Sequence, residues 1–181
     1  YSAVWQSDLP QKTKLERYDS LVVSKGIWGL HVLSVLPTDF AYLEYIHVRC
    51  LRRILGIKAA FISRISHAAV RDRAHVDPLQ CRVRRNQMNL LGHILRRPYD
   101  HPDRLCIFQP NDDLEPRTAP DAVRRVGRPR TVWTETIVPT IEKLLNRPRT
   151  QIHHLAQNRQ HWYEETERLC SLLRRELQAD V

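Results

Sequence analysis

The chain has 181 residues, with 29 Lys and Arg against 20 Asp and Glu, a formal net charge of +9 and 42% hydrophobic residues. Such a balance excludes a disordered chain and suits one domain-sized unit able to bury a core. No apolar run reaches the roughly 18 residues that a membrane-spanning helix needs; the nearest, residues 21–36, is interrupted by Lys25 and His31. The basic excess is almost entirely arginine, 24 Arg to 5 Lys. A guanidinium grips phosphate two-pronged and stacks on bases, so this bias points to nucleic acid. The competing reading is a solvated Arg-rich surface, or arginines paired with acids on partner proteins. Cys50, Cys81, Cys106 and Cys170 are widely spaced without a CxxC pair, which fits free thiols in a reducing compartment. The chain begins at Tyr1 and its only methionine is Met88, so it reads as a processed or trimmed piece of something longer, with no signal or transit peptide visible in it.

Helical periodicity dominates, and five glycines without a Gly-rich loop argue against a phosphate-cradling nucleotide fold. The expected fold is mainly α, an irregular bundle of about five or six helices with a long Pro-rich loop. A first helix is expected over residues 12–35, bent near Gly26 and Gly29 and ended by Pro37, with Thr38 capping the next. That second helix, 39–55, places Phe40, Leu43, Ile46, Cys50, Leu51 and Ile54 on one face, with Arg49, Arg52 and Arg53 on the other side and Gly56 at its C-cap. A shorter helix is expected at 66–74. Asp77 then caps a long helix to about residue 96, with Pro78 in its first turn.

The apolar face of this long helix holds Leu79, Val83, Leu90, Leu91, Ile94 and Leu95. Arg82, Arg85, Asn86, Asn89, His93 and Arg96 form a polar stripe suited to a phosphate backbone, or simply a solvated face. Residues 98–130, rich in proline and with acids at Asp112, Asp113 and Glu115, read as a linker or surface loop. The linker ends in Arg124, Arg125, Gly127, Arg128, Pro129 and Arg130, which resembles an AT-hook core or a turn that orders the next helix around Trp133. One more helix begins near Thr131 and breaks at Pro139, and a last spans 150–178, burying Ile152, Leu155, Trp162, Leu169, Leu173 and Leu177. The expected organisation is a helical domain at 1–97, the linker at 98–130, and C-terminal helices at 131–181 packing on the first part.

Catalytic constellations are weak. Asp112-Asp113 has no frame to hold a metal, and Glu164-Glu165 sits on a helix where Glu164 faces Arg168 as an ordinary surface pair. His47 with Cys50, and His101 with Cys106, fall short of the four convergent ligands zinc needs. His153 and His154 point in two directions, and no Ser or Cys sits in a nucleophile elbow. No metal, cofactor or catalytic residue is expected.

Tyr42-Leu43-Glu44-Tyr45-Ile46-His47-Val48-Arg49-Cys50-Leu51-Arg52-Arg53-Ile54-Leu55-Gly56-Ile57 resembles a segment found after the polymerase core of non-LTR (LINE-type) retrotransposon reverse transcriptases. Ile65-Ser66-His67 is similar to the short stretch that follows there, departing at its last position, and Leu90-Leu91-Gly92-His93-Ile94-Leu95-Arg96 to the family's basic helix. Gly127 to Arg130 with Trp133, then Ala156, Arg159 and Trp162, continue the resemblance in order, with Trp28-Gly29 as a weak upstream counterpart. The resemblance implies the helical thumb and post-thumb region that packs beside a template–primer duplex. It implies no active enzyme, because the aromatic-Ala-Asp-Asp signature of the palm is absent from the sequence.

The expectation is therefore a non-catalytic nucleic-acid-binding module, RNA rather than DNA, acting with other protein subunits in a large ribonucleoprotein such as an organellar ribosome. The expected contacts are Arg49, Arg52, Arg53, Arg82, Arg85, Asn89, His93, Arg96, Arg124, Arg125, Arg128 and Arg130. Two alternatives stand beside it, a template–primer-gripping segment of an active reverse transcriptase and a protein–protein scaffold of a membrane or respiratory complex. A domesticated subunit would belong in a mitochondrion or other organelle, a retroelement product in nucleus or cytoplasm.

Overall fold

The computed structural model describes residues 7–110, 114–117 and 132–179, with side chains to residue 177. Its described residues are mainly helical, as expected, with more helices than expected. They are α1 Gln11–Tyr18, α2 Pro37–Ile54, α3 Ala60–Ser63, α4 His67–Ala74, α5 Leu79–Leu95, α6 Pro102–Leu105, α7 Trp133–Leu145, α8 Arg149–Gln157 and α9 Arg159–Ala179. Among these residues, no helix is long and apolar enough to cross a membrane.

The extra helices have local causes. The expected first helix stops early: α1 runs on through a π-helical turn, Asp19–Val23, and Ser24–Gly26, and Gly29 then takes a positive φ of 79°. Pro37 opens α2 instead of merely ending its predecessor, and the Asp39 carboxylate accepts from the Leu36 N–H at 3.1 Å, the capping role expected of Thr38. Asn158 splits the expected last helix in two. Its Oδ1 accepts from the Gln160 and His161 N–H groups at 2.9 and 3.2 Å, starting α9 afresh. Conversely, α7 continues through Pro139, which is exposed, while Thr140 Oγ1 donates to the Thr136 carbonyl at 2.7 Å. Part of the supposed linker is also ordered inside the protein: α6 forms there, and Phe108 and Leu114 are fully buried. The acids Asp112 and Asp113 lie outside the described residues.

The chain divides into two compact units that cut across the expected boundaries. The first comprises the residues up to His31, Val35–Val83 and Leu173 onward; the second comprises Val32–Ser34 and Arg84–Leu172. The boundaries differ because α5 and α9 each contribute to both.

In the first unit, Tyr18, Val23, Phe40, Val48, Leu51, Ile54, Val70 and Ala74 belong to one buried cluster. Glu44 organises its polar edge. One carboxylate oxygen accepts from Arg71 at 2.8 Å and the other from the Leu79 N–H, the first of α5, at 2.9 Å. Glu44 thus does the capping expected of Asp77, which instead pairs with Arg174 at 2.7 Å. Gly56, at a φ of 67°, closes α2 as expected. Ile57 N–H donates to the Arg52 carbonyl at 2.8 Å and Gly56 N–H to that of Arg53 at 3.4 Å, the paired bonds of a Schellman end.

In the second unit, α5 buries Met88, Leu91, Ile94 and Leu95, and α9 lays Trp162 across it. The indole N–H donates to the Met88 carbonyl at 2.9 Å. A Cβ at Gly92 would lie 2.2 Å from Trp162 Nε1, so the glycine makes room for the rigid ring. Arg104, 2% exposed, closes the end of α5, donating to the Leu95 and Arg97 carbonyls at 3.0 and 3.3 Å. Its guanidinium also faces His153 Nε2 at 3.3 Å and lies 4.1 Å from the centre of the Tyr99 ring.

Gly92→Ala is therefore expected to destabilise the protein by about 1–3 kcal/mol through overpacking, measured by urea denaturation. An unchanged midpoint would show that Trp162 does not lie against this position.

Candidate nucleic-acid interface

Of the α5 stripe expected to contact phosphate, the first half is occupied within the chain. Arg82 is ion-paired with Asp19 and reaches Ser24 Oγ at 3.5 Å. Arg85 grips Glu167 two-pronged at 2.8 and 3.0 Å. These arginines face acids, but the acids are the chain's own. The second half of the stripe differs. Asn89 and His93 are exposed, and Arg97, which sequence reasoning missed, donates to His93 Nε2 at 3.1 Å. Arg96 is half-buried and donates to the Ala156 carbonyl at 3.0 Å. Burial first, and the nearby Arg159 second, lower the Arg96 pKa.

The three arginines of α2 separate by helical phase. Arg52 is 6% exposed and donates to the Lys58 carbonyl at 3.0 Å, to Ser63 Oγ at 3.1 Å and to the Ile65 carbonyl. It fastens the loop after α2 and is spent there. Arg49 and Arg53 lie one turn apart, turned away from the buried side, and are exposed. On that same side are Tyr42, 66% exposed, Tyr45, 52% exposed, and Ile46, 41% exposed. The outward position of Ile46 corrects its expected place on the apolar face, since Phe40, His47, Val48, Leu51 and Ile54 supply the buried side.

Charge along this segment is one-sided. From Tyr45 to Arg71 the sequence contains no Asp or Glu. Glu44, just before it, is committed to Arg71 and Leu79, and Asp39, at the start of the helix, to the Leu36 N–H. Exposed Lys58 and Arg64 lie in the loop that Arg52 ties to α2, together with Phe61, 83% exposed, and Ile62. The aromatic component was legible as tyrosines in the sequence, but only the phase of α2 shows that it shares a face with Arg49 and Arg53.

His47 lies on the inward side. Burial first, and Cys50 next, raise the Tyr18 pKa, and its hydroxyl shares a hydrogen bond of 2.9 Å with His47 Nδ1. His47 Nε2 is buried without a partner. Burial is the first cause that lowers the His47 pKa; Arg71 and Arg82 push it down further, against Glu44 and Asp19. Among the described residues no three His, Cys, Asp or Glu gather as a metal would require. Glu164 bonds Gln160 at 2.9 Å, and it is Glu165 that lies 3.5 Å from Arg168, replacing the expected Glu164–Arg168 pair. Arg124, Arg125, Arg128 and Arg130 lie outside the described residues.

Several of the segments quoted above meet each other. Arg52 binds the carbonyl of Ile65, Arg96 that of Ala156, and Gly92 accommodates Trp162. Comparison of the chain with known protein families, with curated proteins and with solved structures finds no match.

Two outcomes follow. Arg52→Ala leaves two carbonyls and a hydroxyl without their donor and is expected to cost about 1–3 kcal/mol, whereas Arg53→Ala stays within about 0.5 kcal/mol; thermal melts of the two variants check the contrast. His47 resists protonation in the folded state, so the unfolded chain takes up its proton first as pH falls below about 6.5. Stability contributed by neutral His47 is present above that value and lost towards the lower folded-state pKa. His67, also lowered by burial and by Arg52 and Arg71, adds in the same sense. Urea midpoints between about pH 7 and pH 5 should fall, and His47→Gln should flatten part of that slope.

Proposed function

We propose that this chain is a non-catalytic nucleic-acid-binding helical module that binds RNA and works as a structural subunit of a ribonucleoprotein. The observation that carries this reading is the acid-free segment after Glu44, whose outward arginines stand beside exposed tyrosines on one helical face. A polyanion answers that charge, and flat rings beside guanidinium groups suit bases and phosphates together. The arginines near the end of α5, Arg96 and Arg97, with Arg159, supply a second place for phosphate. The resemblance to the thumb and post-thumb region of non-LTR reverse transcriptases supports the same reading, and an origin of the module in such a protein belongs to the proposal. A template–primer grip would use the same faces.

Arg49→Ala/Arg53→Ala is expected to weaken RNA binding and to make the log–log salt dependence shallower by about 1.4–1.8, one released-ion increment per arginine. Arg82→Ala is expected to leave that slope unchanged, because this arginine is paired with Asp19. Anisotropy titrations of labelled RNA across a salt series read both. Equal slopes in parent and double variant would remove α2 from the interface.

A further inference from the structure

The outward face of α2 is not built as a phosphate track alone. A face made only for backbone phosphates would carry cations along its whole length, since phosphates offer nothing to an aromatic ring. Here the N-terminal half presents Tyr42, Tyr45 and Ile46, and the C-terminal half presents Arg49 and Arg53. From Tyr42 to Arg53 the helix rises roughly 16 Å, a length that spans a few nucleotides. The rings are exposed on adjacent turns instead of being drawn into the buried cluster, although Phe40 and Val48 of the same helix are. Leaving two tyrosines and an isoleucine in water on one stripe forgoes the burial that large apolar groups favour.

In a duplex, base faces are covered by their neighbours, and an outside helix meets only backbone and groove edges. An unpaired base leaves its face open to a ring, and every base has one, so such stacking tolerates sequence. The charge pattern decides against an apolar protein partner: the segment that follows has no acid as far as Arg71 and exposes Arg49, Arg53, Lys58 and Arg64. Resting on the nucleic-acid reading above, we infer that the α2 face takes single-stranded RNA. Tyr42 and Tyr45 stack on unpaired bases, Ile46 packs beside them, and Arg49 and Arg53 hold the adjoining phosphates.

The test is an anisotropy titration of the whole chain with a fluorescent oligouridylate and with a blunt RNA duplex of the same length. The parent is expected to bind the single strand more tightly than the duplex. Tyr42→Ala/Tyr45→Ala should weaken single-strand binding at least about tenfold, on the scale of two lost stacking contacts, and leave duplex binding within about twofold. Tyr42→Phe/Tyr45→Phe should bind like the parent, because stacking needs the ring and not the hydroxyl. Circular dichroism melts confirm that both variants remain folded, as exposed positions allow. In parallel, photocrosslinking with 4-thiouridine RNA and peptide mapping should place adducts on Tyr42 or Tyr45, a readout that needs no variant. Equal loss on both probes, no loss on either, or adducts only elsewhere would overturn the single-strand assignment while leaving nucleic-acid binding in place. Binding to neither probe by the parent would instead overturn the nucleic-acid reading itself, as expected if an acidic protein covers this face.

Discussion

A guanidinium cannot be buried alone. It stays charged at any ordinary pH, and each N–H taken from water without an acceptor is costly. This constraint shapes both units, because Arg52, Arg71, Arg84 and Arg104 are all buried. Arg71 is met by Glu44, Arg84 donates to Gln87 Oε1, and Arg52 and Arg104 are met mainly by backbone carbonyls. Those carbonyls belong to the loop after α2 and to the end of α5, where helical bonding has run out. The buried arginines therefore act as clasps on chain ends that would otherwise be unsatisfied.

The same accounting divides the arginines by task. Clasping uses Arg52 and Arg104, and ion pairing within the chain occupies Arg82, Arg85, Arg147, Arg149 and Arg174. Exposed pairs of this kind add little stability each, but they neutralise arginines that composition alone would count as available. Arg49 and Arg53 escape this because the nearest acid in sequence, Glu44, points to the opposite side of α2 and holds Arg71 and the start of α5. The proposed interface draws on arginines that the interior has not taken.

Much of the fold was legible from periodicity. The buried faces of α2 and α5, the glycine end of α2, and the burial of Ile152, Trp162, Leu169 and Leu173 follow from apolar spacing and helix-end chemistry. What escaped depends on partners distant in sequence. Nothing near Asp77 shows that Glu44 caps α5 in its place, and nothing near Arg85 shows that Glu167 lies opposite. The site was half legible for the same reason. Helical phase put Arg82 and Arg85 on one stripe, but phase gives the direction of a side chain and not its occupant. Tyr42 and Tyr45 were visible as residues, yet a tyrosine on an amphipathic helix suits core and surface equally, and only packing decided.

The measurement that bears most directly on this division is arginine-selective labelling with phenylglyoxal, mapped by mass spectrometry with and without RNA. The account predicts fast labelling of Arg49 and Arg53, suppressed by RNA. It predicts protection of Arg52, Arg71 and Arg104 in either state, and little effect of RNA on Arg82 and Arg85. RNA that shielded Arg82 and Arg85 while Arg49 and Arg53 stayed reactive would contradict it.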